Sequence, residues 1–282
     1  MKHTSYLLIL LFLVAIQKSN AQTNTLTPEK YTAHNKGKFY LYWGGNRAHY
    51  SKSDITFKGD DHNFTLQNVS AHDKPKGMHI DYLNPVRMTI PQTNFRLGYF
   101  LTDKYSISFG VDHMKYVMTQ FQNTTITGDI NTTDSPFNGN YNNTPIEMTP
   151  DFLMFEHTDG LNFINVELSR VDDIGKYIFN WDTDKIQINV TEGLGIGALY
   201  PKTNTTLLGK KRYDEFHVSG YGLSAKAGLN ITFLKYFFIQ SELKGGYINM
   251  QDIRTTQNTS DSASQDFFFL QTNLVVGGIF RL

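Results

Sequence analysis

The sequence predicts an all-β chain closed into one eight-stranded antiparallel transmembrane barrel, with short periplasmic turns and long outer loops. Three observations carry that prediction. Eight segments are long enough to cross a bilayer as tilted strands, which need about nine to eleven residues each; they span residues 37 to 51, 92 to 101, 105 to 118, 158 to 171, 185 to 200, 216 to 233, 236 to 250 and 266 to 282. The connections alternate between short and long, as an even-stranded membrane barrel requires and an open sandwich does not. Within the segments apolar and polar side chains alternate with the period of two that gives a strand one oily face.

The chain opens with Lys2 and His3, an apolar run from Tyr6 to Ile16, and Ser19-Asn20-Ala21 at the positions a signal peptidase reads. Residues 1–21 are therefore expected to be a signal peptide cleaved after Ala21. The apolar run is too short for a helical span of roughly twenty residues, and Lys18 interrupts it. Residues 22–36 are expected to form a periplasmic N-terminal segment. Residues 37–282 are expected to form a single barrel domain, because no Pro- or Ser-rich linker divides them.

The first segment starts on Phe39-Tyr40 and ends on Tyr50, and the long polar stretch 52 to 91 separates it from the second, which ends on Tyr99-Phe100. Thr102-Asp103-Lys104 is a tight turn into the third segment, where Tyr105, Ile107, Phe109 and Val111 oppose Ser106, Ser108, Gly110 and Asp112. The outer connection 119 to 157 holds an Asn-rich run, Asn123 to Asn143, which reads as a solvated surface loop. After the fourth segment and a moderate connection, the fifth sets Ile186, Ile188, Val190, Leu194, Ile196 and Ala198 against Gln187, Asn189, Thr191, Gly193, Gly195 and Gly197. Glu192 falls on its oily side, so a bulge at Thr191 to Gly193, or a lipid band that begins beyond it, is expected. The alternating glycines suit a bent strand or close interior packing better than a phosphate cradle. The sixth segment alternates throughout, from Tyr221 to Phe233, and Leu234-Lys235 turns it into the seventh. Rings at Phe39, Tyr40, Tyr99, Phe100, Tyr105, Phe233, Tyr236, Phe237 and Phe280 are expected to form the periplasmic aromatic girdle, and those at Tyr50, Tyr116, Tyr200, Tyr247 and Phe267 lie toward the outer end.

In the last segment Phe268, Leu270, Leu274, Val276, Phe280 and Leu282 share one parity, against Gln271, Asn273, Gly277 and Arg281 on the other. This stretch resembles the closing strand of bacterial outer-membrane barrels, in which an aromatic near a hydrophobic C-terminus is an assembly signal. The resemblance gives that role to Phe280 and implies the barrel-assembly machinery as a partner. Over residues 37 to 282 the chain resembles the small eight-stranded barrels of the OmpA and OmpX type. That likeness implies a Gram-negative outer-membrane location, a plugged rather than porin interior, and roles in envelope anchoring, surface adhesion or lipid chemistry.

Composition narrows the function further. Lys plus Arg and Asp plus Glu number 26 each, so no global field draws the protein to nucleic acid. Cysteine is absent, which excludes disulfides and thiolate metal sites. No nucleotide fingerprint occurs, and neither a cofactor nor a metal is expected. Aromatics at 14% suit strands with interfacial rings.

Strand parity directs Arg96, Asp112, Glu167, Lys226, Glu242 and Lys244 inward. Eight strands enclose only enough room for side chains to fill, and buried charges must find partners. An internal ion-pair network that plugs the lumen is therefore expected, with Lys226 a candidate partner for Glu242. For acyl transfer, which needs a base, a nucleophile and an orienting group, the candidates are His113; His157 with Glu156 and Asp159; and His217 with Glu215 and Ser219. Scattered loop histidines give such neighbours by chance, and no residue is assigned as catalytic. The expected function is that of a non-enzymatic outer-membrane barrel which binds a surface ligand or stabilises the envelope through its outer loops, in contact with outer-membrane lipid. The alternatives are a lipid A acyl-modifying enzyme and a soluble exported lipid-binding barrel.

Overall fold

The computed structural model describes residues 34–77, 91–179 and 183–282. The expected signal peptide and most of the expected N-terminal segment lie outside these residues. Eight long strands make the wall: β1 (Phe39–Tyr50), β5 (Thr93–Phe100), β6 (Tyr105–Met118), β9 (Leu153–Asp173), β10 (Ile186–Leu199), β12 (Gly220–Phe233), β13 (Phe237–Arg254) and β14 (Ser262–Phe280). Each corresponds to one of the eight segments read from the sequence. They pair antiparallel in that order, and β14 returns to β1 from Phe39 opposite Phe280 to Tyr50 opposite Phe269. Closure leaves this ring without a free edge.

Side-chain direction decides what surrounds the ring. Leu41, Leu97, Phe109, Leu168, Ile196, Leu229, Leu243 and Leu274, one on each successive strand of the ring, are all exposed on the outer surface. An apolar belt that runs round a whole barrel is far larger than any patch a soluble monomer leaves in water. Hydrocarbon is the solvent that fits it, and a closed barrel satisfies every backbone group there. The chain is an eight-stranded transmembrane barrel.

Beyond the belt the wall continues outward. β6, β9, β13 and β14 have 14, 21, 18 and 19 residues, more than a span needs. The outer connections, expected as polar loops, carry further strands: β2 (Ser53–Lys58), β3 (His62–Val69), β4 (Ala71–His72), β7 (Asn123–Ile130), β8 (Gly139–Glu147) and β11 (Asn204–Leu207). A sheet in the order β14-β2-β3-β7-β8 stands on the outer end, while β4 extends β6 and β11 extends β9. The Asn-rich run is thus a hairpin. Its Ile126 and Ile130 join Ile55, Phe57, Phe64 and Leu66 in an apolar core shared with Met114, Phe155, Phe163 and Met250 of the wall.

Two further expectations are corrected. The register of β10 with β9 and β12 runs unbroken through Glu192, so no bulge forms there. Glu192 points outward opposite Arg170, 4.0 Å from its Nη1, and Arg170 also pairs with Asp172, which takes Lys104 at 2.8 Å. The charged cluster thus interrupts the outward oily face of β10 between Val190, which is paired with Leu229, and Leu194. A bulge occurs instead where Met114 and Tyr116 of β6 face Leu161 and His157 of β9, next to Gly160 with φ +135°, and a second register shift falls between Met250 and Ile253 of β13. Several girdle rings also turn inward: Tyr40 and Phe100 are buried with Tyr42 and Phe238, and Tyr50 and Tyr116 pack around Phe267.

Candidate functional site

The six inward charges meet in one layer across the lumen. Arg96 from β5, Asp112 from β6, Glu167 from β9, Lys226 from β12 and Glu242 and Lys244 from β13 are all buried. Glu167 is the hub: its carboxylate is 3.0 Å from Arg96 Nη2, 2.8 Å from Lys226 Nζ and 2.6 Å from Lys244 Nζ. Lys226 and Lys244 stand directly opposite each other in the β12–β13 register, an arrangement that like charges disfavour. The two oxygens of Glu167 face one ammonium each and offset that repulsion.

The remaining partners complete the layer. Glu242 accepts from Lys226 at 2.9 Å, Asn273 at 3.1 Å and Gln240 at 2.5 Å. Asp112 pairs with Lys244 and accepts from Asn94 and Asn165, each at 2.9 Å. Arg96 donates to Tyr42 Oη at 3.0 Å and to Asn165 Oδ1 at 2.8 Å. Glycines make the room. A Cβ at Gly110 would lie 2.9 Å from the Arg96 guanidinium carbon, and one at Gly195 would lie 2.9 Å from Glu167 Cγ. Gly195 belongs to the alternating glycines of β10, whose role here is close interior packing.

The lumen is filled on both sides of this layer. Toward the periplasm lie Tyr40, Tyr42, Phe100, Phe238, Val275 and Ile279. Beside them is a cavity of about 40 Å³ lined by Lys226, Asn189, Asn230 and Gln240 among others, room for about three waters. Toward the outside the apolar core begins at once: the Lys244 ammonium sits 5.4 Å from the centre of the Phe163 ring, and Phe163 meets Phe269 at 6.4 Å.

The histidine groups do not assemble into an acyl-transfer site. His157 is fully buried and bonds Thr203 Oγ1 through Nδ1 at 2.9 Å; burial pushes its pKa down to about 3, so it stays neutral. Its sequence neighbours turn away, Glu156 to Lys74 at 3.5 Å and Asp159 to Lys202 at 3.5 Å. His113 Nδ1 meets Asn162 Oδ1 at 2.7 Å. His217 bonds Asp252 at 2.8 Å, but the Ser219 hydroxyl donates to the His217 carbonyl and Glu215 accepts from Tyr213. None of these contacts puts a serine hydroxyl on an imidazole.

One cluster had no local signal in the sequence. Asp61, His62 and Asp261, from two separate outer connections, bring ligand atoms within 4.8 Å of one another. The Lys210 ammonium already lies there, 2.8 Å from Asp61 and 3.1 Å from Asp261. The group is a clasp between three connections, with lysine as its cation.

Strand number, closure and the outward oily belt are those of the small bacterial outer-membrane barrels, and the chain has that architecture. No protein-family model matches it, and no curated protein matches it. Among solved structures it is similar to the outer membrane protein OprG of Pseudomonas aeruginosa, with 9% identity over 89% of this chain and 99% of that one and a TM-score of 0.36. It is also similar to Ail, the attachment invasion locus protein of Yersinia pestis (9% identity, 85% and 99% coverage, TM-score 0.28), and to Neisserial surface protein A (11%, 85% and 96%, 0.32). None of them lends a ligand or an activity to this chain.

Proposed function

We propose that the chain is a closed, non-conducting barrel of the bacterial outer membrane whose work is done by the β-platform on its outer end, which presents a polar sheet to a surface ligand. The observation that carries this reading is the lumen, filled in series by the aromatic cluster, the six-charge layer and the apolar core. Transport has no path, so function falls to the outer surface. There the sheet β14-β2-β3-β7-β8 turns its apolar residues inward and lays Ser264, Thr56, Thr65, Thr127 and Asn143 in a cross-strand row outward, with Thr56 and Thr65 hydroxyls 2.8 Å apart and Thr127 bonded to Asn143. A preformed platform orders nothing on binding, which favours affinity.

In this reading residues 1–21 direct export and Phe280 serves assembly. Acyl-chain chemistry has no supporting contact among the described residues. A soluble lipid carrier would need its oily face inside, the reverse of the observed belt.

The test has two parts. Purified barrel in a planar bilayer should give no conductance steps. Cells expressing the wild type should bind spots on glycan and matrix-protein arrays that cells with residues 121–148 replaced by a short Gly-Ser turn do not, while both proteins keep heat-modifiable gel migration. Steady conductance, or identical array patterns for the two, refutes the reading.

A further inference from the structure

The periplasmic half of the lumen has two unlike walls. Tyr40, Tyr42, Phe100 and Phe238, from β1, β5 and β13, make one of them. The other is built by inward residues of β9, β10 and β12, and on β10 Gln187, Asn189 and Thr191 follow one another on a single face. Between the walls lies the cavity of about 40 Å³, which is lined from Lys226 in the charge layer to Asn35 ahead of β1 and Ile279 at the end of β14. The charge layer and the apolar core fill the lumen beyond it, so it is a blind pocket on the periplasmic side.

Part of its polar lining is satisfied within the wall. Asn189 donates to Asn230 at 3.0 Å, Asn230 to Gln240 at 2.8 Å, and Gln240 to Glu242 at 2.5 Å. The rest is not. Ser169 Oγ, Gln187 Nε2, Thr191 Oγ1 and Asn35 Oδ1 line the same cavity, and none has a hydrogen-bond partner among the described residues, although each of these residues is at most 5% exposed. Buried polar groups are nearly always bonded, and one left without a partner destabilises the fold. Glycines clear the space beside two of them. A Cβ at Gly193 would lie 2.7 Å from Ser169 Oγ and 3.2 Å from Lys226 Cε, so those two side chains stand next to each other, and a Cβ at Gly228 would lie 3.0 Å from Thr191 Oγ1.

The chemistry of the lining selects the ligand. Three of the four unpartnered groups can donate, two as hydroxyls and one as a carboxamide. Lys226 is the one charged residue among the described residues of the lining. Its ammonium lies 2.8 Å from Glu167 and 2.9 Å from Glu242, and it has three N–H groups for these two carboxylates and a third acceptor. Donors gathered beside a cation complement an anion rich in lone pairs, and the space of about three waters is also that of one carboxylate group. We infer that this pocket binds a small monocarboxylate of formate to acetate size from the periplasm, its oxygens accepting from Ser169, Gln187, Thr191 and Lys226 and its carbon end toward the aromatic wall. The inference stands on the cavity and is independent of the role proposed for the outer platform.

The test is a titration of the mature barrel in lipid nanodiscs with sodium acetate, at neutral pH and constant ionic strength, followed by amide nuclear magnetic resonance. Wild type should show saturable shifts at the backbone amides of Ser169, Gln187 and Thr191, with a Kd of roughly a millimolar for a ligand of so few atoms. Acetamide, which keeps the shape without the charge, and methylammonium, which reverses the charge, should give no saturable shift. Each lost hydrogen bond to a charged group should weaken binding about tenfold, so Thr191→Val and Ser169→Ala should each do so, and the two together about a hundredfold. Thr205→Val, which removes a buried and unpartnered hydroxyl on β11 at the outer end, should bind acetate as wild type does. Heat-modifiable migration shows which variants are folded, and the single variants decide if the double one is not. Linear shifts without saturation, the behaviour of a pocket that takes up water alone, would overturn the inference. Equal binding of acetamide, or unchanged acetate affinity in the folded single variants, would overturn it as well.

Discussion

Neutralising Glu167 tests whether the charge layer holds the barrel together. Glu167→Gln keeps the volume and removes one negative charge, leaving Arg96, Lys226 and Lys244 against Asp112 and Glu242. Removing one partner from a buried ion pair costs ~3–5 kcal/mol, because the other charge remains buried and uncompensated. Glu167 faces three cations within 3.0 Å and offsets the repulsion between two lysines that β12 and β13 hold opposite each other. The upper end of that range, ~5 kcal/mol, is therefore expected. With an unfolding slope of ~2 kcal/mol per molar urea, the midpoint in lipid vesicles should fall by about 2.5 M. The charge-balanced double variant Glu167→Gln/Lys226→Met should be less destabilised than the two single variants added together, since the pair acts as a unit. Glu215→Ala, which loses only a 3.4 Å contact from Tyr213 in an outer connection, should stay within ~0.5 kcal/mol of wild type. Equal midpoints for Glu167→Gln and wild type would refute the reasoning, because they would mean that water reaches the layer and screens it.

Three other outcomes are expected. Cysteine at Asn131 or Asn258, both exposed on the outer end, should react with an impermeant maleimide on intact cells, whereas cysteine at Asp103 or Lys235 should not; reversed labelling would invert the orientation. Phe280, stacked on Phe39 at 6.2 Å where the ring closes, should lower the folded yield when changed to Ala or when the last three residues are removed, as read from heat-modifiable migration. The Asp61–Lys210–Asp261 clasp should open at both pH extremes. Burial pushes the Asp61 carboxyl up, but hydrogen bonds from Lys210 and His62 outweigh it and hold the pKa below its ordinary value, so that contribution is present above the carboxylate range and lost as pH falls through the lowered pKa. Burial pushes Lys210 down, yet Asp61 and Asp261 raise it overall, so its contribution is complete below the ordinary lysine range and lost as pH rises through the raised value. A dye on cysteine at Gln257 should show a flat anisotropy plateau between these limits with a drop on each side, and Lys210→Met should abolish the plateau.

The wall was legible because a bilayer imposes a minimum strand length and a strict alternation. Tyr105 to Val111 and Tyr221 to Phe233 show both on one strand each, and parity alone directed Arg96, Glu167 and Lys244 to the side where the structure brings them together. Alternation does not reveal depth, and depth decides which face is oily. Tyr40 and Tyr116 share the inward parity of Asp112 and Glu167, yet they were read as interfacial rings because aromatics at strand ends suggest a girdle. The platform was missed for a different reason. β2, β3, β7 and β8 run to only 6, 8, 8 and 9 residues, at or below the lower limit of a span, and Phe57, Phe64, Ile126 and Ile130 are single apolar residues set among polar ones. The clasp joins residues 61, 210 and 261, and no spacing in a linear chain announces such a meeting.

The same strands reverse their chemistry at one level, and that reversal ties the platform to the barrel. Inward residues pass from Asp112 to Met114 on β6, from Asn165 to Phe163 on β9, from Lys244 to Ile248 on β13, and from Gln271 to Phe269 on β14. Outward residues pass from Phe109 to Lys115 and from Trp43 to Arg47 over the same stretch. Below the level hydrocarbon takes the apolar side chains, so the interior must hold the polar ones. Above it water surrounds the wall, and the ordinary rule of an apolar interior returns. A strand sliding outward by two residues would draw Asp112 into the apolar core, and one sliding inward would press Lys115 into hydrocarbon. Either move carries a charge into a medium that cannot solvate it. The reversal therefore fixes each strand's register and the depth of the barrel in the bilayer together. It also means that β2, β3, β7 and β8 pack on a core continuous with the strands that cross the membrane, so the platform is held as rigidly as the wall beneath it.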